Sequence, residues 1–134
     1  MSDCPFCLSN NLLDGEVLAQ SRHCYLVRTG DPILTASVMV IPMRHVATPF
    51  DLTTDEWFDT KALLEEARRA LATDHPDGFS IGWNVHPVGG QEVMHAHLHV
   101  IARFADEPLA GKGIRHALKQ EANRRPAIDP TTTT

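Results

Sequence analysis

The sequence predicts an α+β protein with a mainly antiparallel sheet of about five strands and one long helix. Short segments rich in apolar and β-branched residues recur between Gly, Pro, Ser and Asp turn signals. One stretch only, from about Thr54 to Thr73, carries a sustained helical period. Strands therefore dominate, with a single long helix set between them.

Gly15–Gln20 and His23–Arg28 are mixed apolar segments separated by Ser21-Arg22 and read as a hairpin. Thr29-Gly30-Asp31-Pro32 is a turn or loop signal. Ser37–Ile41 (SVMVI) is a buried strand expected to stop at Pro42, with Pro42-Met43-Arg44-His45 leading into a loop. Thr53 followed by Glu56 forms a capping box. Trp57, Leu63, Leu64, Ala67 and Leu71 then recur at helical spacing, up to a stop near His75-Pro76. Phe79–Asn84 reads as a strand and Pro87–Gly90 as a loop. Val93–Arg103 is the last and longest strand, with a short helix expected around Ile114–Asn123.

The 134 residues fit one domain, 1–126, followed by a tail at 127–134 that contains the Thr131–Thr134 run and is expected to fray. Hydrophobic residues at 43% and charged residues at 22% are ordinary for a globular chain, so nothing suggests a fibrous or disordered class. No apolar run nears the roughly 18 residues that span a bilayer, and the N-terminus lacks a basic region followed by an apolar one. A cytoplasmic protein with no membrane partner is expected. The net charge of −5 argues against a nucleic-acid polymer as partner, because such binding needs a basic surface. A small anion, held by backbone N–H groups and a few side chains, remains compatible.

The chemistry concentrates in His95-Ala96-His97-Leu98-His99. On a strand, His95, His97 and His99 share one face, successive rings roughly 6–7 Å apart, while Ala96, Leu98 and Val100 pack on the core. Two readings follow from the residues. The imidazoles bind one metal at a catalytic site, or one imidazole attacks phosphorus while its neighbours orient it. Gly89-Gly90-Gln91, an N–H-rich turn just upstream, favours phosphate chemistry, and the Gln91 amide could bond a phosphate oxygen or hold an imidazole tautomer.

Gly90-Gln91-x-x-x-His95-Ala96-His97-Leu98-His99-Val100-Ile101 resembles the signature of the histidine-triad (HIT) superfamily, His-φ-His-φ-His-φ-φ. The likeness extends to Cys4-x-x-Cys7, to the strand ending Val-Ile-Pro-x-Arg-His at Val40–His45, and to Asn84 ahead of the Gly-Gln turn. The resemblance implies attack on the α-phosphate of a nucleoside phosphoramidate or dinucleoside polyphosphate through a covalent nucleotidyl-histidine. It makes His97 the nucleophile and His99 the residue that contacts phosphate and assists the leaving group. Asn84, Gly90 and Gln91 would line the phosphate and ribose side of a small-molecule nucleotide site. A homodimer with joined sheets is a further implication. Three positions depart from the family pattern. His86 stands where many members have glycine, Glu92 at a substrate-side place often held by serine or threonine, and Ser37 where many carry a fourth histidine. A carboxylate at 92 would repel phosphate if it pointed inward.

Cys4-x-x-Cys7 is half of a tetrahedral zinc site, and an odd cysteine count with no export signal speaks against a disulfide framework. Some HIT relatives complete such a site with the histidine after the Pro-containing strand and the first triad histidine. Here that implies Zn2+ on Cys4, Cys7, His45 and His95, a closed structural site. Cys24 reads as a small strand residue, and Arg44 as a solvated loop charge or a phosphate contact. Two other classes stay open: a slow-turnover nucleotide-binding regulatory module, and a zinc-dependent hydrolase using the triad as ligands.

Overall fold

The computed structural model describes residues 3–128, and the Thr131–Thr134 run lies outside the described residues. β1 (Glu16–Gln20) and β2 (Cys24–Arg28) form the expected hairpin. Its turn is tied to the helix: the Asp59 carboxylate accepts from the Ser21 hydroxyl at 2.7 Å and from the His23 N–H at 2.8 Å. β3 (Ser37–Pro42) is buried throughout. It runs one residue past the expected stop, because Pro42 still pairs opposite Cys24 at the end of the ladder.

Both halves of the Thr53–Glu56 capping box form, and α1 spans Thr54–Leu71 before a 3-10 turn at Ala72–Asp74. The inward face of α1 is Glu56, Thr60, Leu63, Ala67 and Leu71. Trp57 is thus not on the core stripe; it sits at the border, edge-on to Trp83 at 5.3 Å. β4 (Gly78–Gly82) and β5 (Leu98–Arg103) complete an all-antiparallel sheet of order β1-β2-β3-β5-β4. No helix among the described residues is long and apolar enough to cross a membrane.

The sheet separates two environments. On one face Leu26, Val38, Val40, Leu98 and Val100 pack under Leu63, Ala67 and Leu71 of α1. On the other, Tyr25, Val27, Met39 and Ile41 meet Phe6, Leu8 and Leu13 of the N-terminal segment. Register pairs Met39 and Gly82 with His99, and Ser80 with Ile101, so these side chains share the face away from α1.

Two expectations are corrected. The strand expected over Val93–Arg103 begins only at Leu98. Residues 95 to 98 are all buried and alternation starts after them, because the Ala96 N–H is drawn to the Val46 carbonyl at 2.7 Å instead of joining a ladder. The helix expected over Ile114–Asn123 is a series of turns with a 3-10 turn at Glu121–Asn123. Its apolar residues Ile114 and Leu118 are exposed, so no core face stabilises a nucleus too short to persist alone.

Candidate active site

His97 ends the irregular approach to β5 and is buried, while His99 lies on the strand and is half-buried. The His97 Nδ1 lies 2.8 Å from the His95 carbonyl. A carbonyl only accepts, so Nδ1 carries the proton and Nε2 keeps its lone pair. The ring is held between Phe6 at 4.9 Å and His99 at 4.8 Å, centroid to centroid, both edge-on. Burial holds both imidazoles below their ordinary pKa; the His95 carbonyl and the Glu92 charge oppose it at His97, and Glu92 alone opposes it at His99. The arrangement presents a neutral, oriented ring nitrogen, which is what attack on an electrophilic phosphorus needs.

Beside His99 opens a concavity of about 280 Å3 lined by Asn84, Gly82, Trp83, Ser80 and, unexpectedly, Ile114. Gly90, at φ +97, closes the Pro87–Gly89 turn against Asn84: a Cβ there would lie 3.5 Å from the Asn84 Cγ. Glu92 is exposed, yet its charge reaches both His97 and His99.

Gln91 is buried, and its amide is committed to the loop. Oε1 accepts from the His86 N–H at 2.8 Å, while Nε2 donates to the carbonyls of Ala47 at 2.6 Å and Val93 at 3.0 Å. The tautomer of His97 is therefore set by the His95 carbonyl and not by Gln91. Ser37 turns its hydroxyl to the Leu34 carbonyl at 2.8 Å.

His95 leaves the other two histidines. Its Nδ1 lies 3.4 Å from the Cys4 Sγ and 3.6 Å from the Cys7 Sγ, and the His45 Nδ1 is 3.3 Å from the Cys7 Sγ. The four ligand atoms of Cys4, Cys7, His45 and His95 lie within 4.8 Å of one another, close enough to hold a metal ion. Among the described residues no other such cluster forms, and neither His97 nor His99 is part of this one. His95 Nε2, 2.8 Å from the Pro42 carbonyl, is the protonated nitrogen, which leaves Nδ1 to ligate. Tyr25 OH donates to the Phe6 carbonyl and Asn10 Nδ2 to the Cys4 carbonyl, fixing the cysteine turn.

Arg44 is exposed, yet its guanidinium is held by an ion pair to the helix. It grips Glu56 with two nitrogens, at 2.8 and 3.2 Å, and the Asp51 carbonyl with 3.0 Å. Burial alone would raise the Glu56 carboxyl; the Arg44 bonds and the Thr53 N–H outweigh it and hold it below its ordinary value. Cys24 is a buried strand residue, its thiol pushed up to about 11 by burial. Sequence reasoning missed Phe6, whose only signal was its place inside Cys-x-x-Cys, and Ile114, which had none.

An open antiparallel sheet with one helix behind it and a histidine segment in front, its imidazoles divided between a thiol cluster and a cleft, defines the class as histidine-triad. The chain belongs to the HIT family: the HIT domain model matches residues 11–106. It is 31% identical over 96 residues to an AP-4-A phosphorylase of Mycobacterium tuberculosis, covering 70% of this chain and 49% of that protein. It is 28% identical over 102 residues to a bis(5'-adenosyl)-triphosphatase of Saccharomyces cerevisiae, covering 75% and 50%. The chain thus spans about half the length of these relatives. A crystal structure of SMU.412c from Streptococcus mutans superposes with a TM-score of 0.70 at 26% identity, covering 81% of this chain and 70% of that one.

Proposed function

We propose that this protein is a nucleotidyl hydrolase or transferase in which His97 is the nucleophile. One observation carries the reading: the His97 Nδ1 proton is committed to the His95 carbonyl, so the other nitrogen is unprotonated and keeps its lone pair for attack. The substrate is a nucleoside phosphoramidate or dinucleoside polyphosphate, the latter in keeping with the names of the two relatives. The Nε2 lone pair forms a bond to the α-phosphorus as the bond to the leaving group breaks, and the leaving group departs with that electron pair. His99 hydrogen-bonds the departing atom: a phosphate leaves as the anion, and an amine leaves neutral because its nitrogen takes a proton from the solvent before the bond breaks. Water then attacks the same phosphorus and gives its proton to the solvent, the P–N bond breaks, the pair returns to Nε2 and a nucleoside monophosphate is released. Splitting the displacement in two lowers each barrier. Asn84 lines the substrate cleft with Gly90 packed behind it, the exposed Glu92 brings its charge to both rings, and Gln91 shapes the loop.

The cluster of Cys4, Cys7, His45 and His95 is read as a zinc site. Zinc bonds of about 2.3 Å to sulfur and 2.05 Å to nitrogen give tetrahedral S···N edges of about 3.6 Å, and the three S···N separations here are 3.3 to 3.6 Å. Bound there, zinc would have four protein ligands and no open position, supplying a structural clamp on the N-terminal segment. The reading extends to a cytoplasmic homodimer with joined sheets, as the family resemblance implies.

The test is brief incubation with adenosine phosphoramidate, then intact-mass and peptide analysis. An adenylyl mass on His97 is expected, and His97→Ala should lose turnover by about 10³-fold or more. Nucleotide binding with no labelled peptide and no turnover would instead identify the slow regulatory module that the exposed Glu92 charge beside the two rings favours.

A further inference from the structure

A second concavity, of about 490 Å3, adjoins the one beside His99. Phe79–Ile81 of β4 form its floor and residues 111–119 its wall. Lys112, Arg115, His116 and Lys119 line it, and no carboxylate does. In a chain of net charge −5 this placement is unusual. Arg28, Arg44, Lys61, Arg68, Arg69, Arg103 and Arg124 each have a carboxylate within 4 Å. Among the described residues no ion pair engages Lys112, Arg115 or Lys119.

The wall is attached to the sheet. Arg103 donates to the Ser80 hydroxyl at 2.9 Å and to the carbonyls of Leu109 at 2.9 Å and Lys112 at 2.8 Å, and pairs with Glu107. The two concavities share Ser80, Ile81 and Ile114. Gly82 is the register partner of His99, so Ser80 lies about 7 Å further along the neighbouring strand. The wall also lies beyond residues 11–106, outside the matched HIT domain.

We propose that this concavity is an anion subsite that receives the phosphate groups of the leaving group. It favours substrates that release a nucleotide or oligophosphate over those that release a neutral amine. The proposal rests on the nucleophile reading above, in which the leaving group departs past His99. Unpaired cations in a concave wall focus positive potential on the space they enclose. An arginine fork also matches phosphate oxygens two at a time.

The experiment compares kcat/KM on diadenosine triphosphate and on adenosine phosphoramidate, for the wild type and for the double variant Arg115→Gln, Lys119→Gln. The ratio of the first to the second should fall about tenfold or more, since a charge-assisted contact carries about that factor. An unchanged ratio overturns the subsite. Calorimetry of tripolyphosphate with His97→Ala protein, where no turnover intervenes, gives an independent measure. Binding abolished by adding the two substitutions supports the subsite even if no adenylyl label ever forms on the wild type, which would sink the hydrolase reading alone. Tripolyphosphate binding that survives both substitutions overturns the subsite and leaves the hydrolase reading intact.

Discussion

The two faces of the sheet are covered in different ways. Under α1 the contact is a repeated apolar pattern: Leu26, Val38, Val40, Leu98 and Val100 against Leu63, Ala67 and Leu71. The opposite face is covered by chain with no long regular element, residues 3–14 on one flank and 105–119 on the other. There Phe6, Leu8 and Leu13 pack on a smaller apolar set, and the rest of the chain is held at points: a thiol–imidazole cluster, the Tyr25 hydroxyl on the Phe6 carbonyl, and the Arg103 guanidinium on two carbonyls. A helix on a sheet spreads its stabilisation over many contacts, so the face can lose one and keep its form. A segment held at points can be released by a single change. The histidines lie on that second face, where the covering chain is polar enough to supply chemistry.

The comparison predicts the largest loss of stability on the α1 face, without loss of chemistry. Leu71 is fully buried at the end of the helix, and Leu71→Ala should cost about 2–5 kcal/mol. A lower urea midpoint is expected, with metal content and His97 labelling per folded molecule unchanged. If labelling falls in proportion to stability, the two faces are not independent.

The opposite face should respond to metal. Cys7→Ser, or chelation, should abolish stoichiometric metal and remove about 2.7 kcal/mol if the free ion stands at a hundred times its dissociation constant. Hydrogen exchange should localise the loss to residues 3–14, while amides of α1 keep their protection. Protein that carries no metal when purified, and melts at the same temperature with and without chelator, would show that thiols and imidazoles merely pack there.

The same division explains what was readable in the sequence. The hairpin, β3, α1 with its capping box, and β4 follow from local period and turn chemistry, and the sequence reading places them within a few residues. The separation of His95 from His97 has another source: it is what the family resemblance implies, while local period puts all three histidines on one face. Misplaced elements are those set by distant partners. His95 answers to thiols 91 and 88 positions away, and the strand expected from Val93 starts only at Leu98 because the Ala96 N–H bonds the distant Val46 carbonyl. Glu56, a charged residue, occupies the inward face of α1 because Arg44 meets it there. Gln91 is absorbed by three loop partners that no spacing reveals. The basic wall at 111–119 was invisible as a site, since its meaning depends on Arg103 folding it against β4.

The smallest expected effect concerns the loop that leads into the histidine segment, and its sign is opposite. His86 adopts φ +64, ψ 160, a region open essentially to glycine alone. Three bonds over-determine that conformation: the His86 N–H donates to Gln91 Oε1 at 2.8 Å, and its carbonyl accepts from the Gly89 and Gln91 N–H groups at 2.9 and 3.1 Å. Such strain costs about 1–3 kcal/mol. Glycine would relieve it, and would lose about 0.4–1 kcal/mol through the greater freedom of the unfolded chain. His86→Gly should therefore stabilise the protein by about 1 kcal/mol, a rise of a few degrees in Tm. The loop geometry is already imposed by Gln91, so the adenylyl label on His97 should form at a similar rate. A fall in Tm would mean that the imidazole of His86 makes a contact worth more than the strain, and the loop would then be held by its side chain as well as by Gln91.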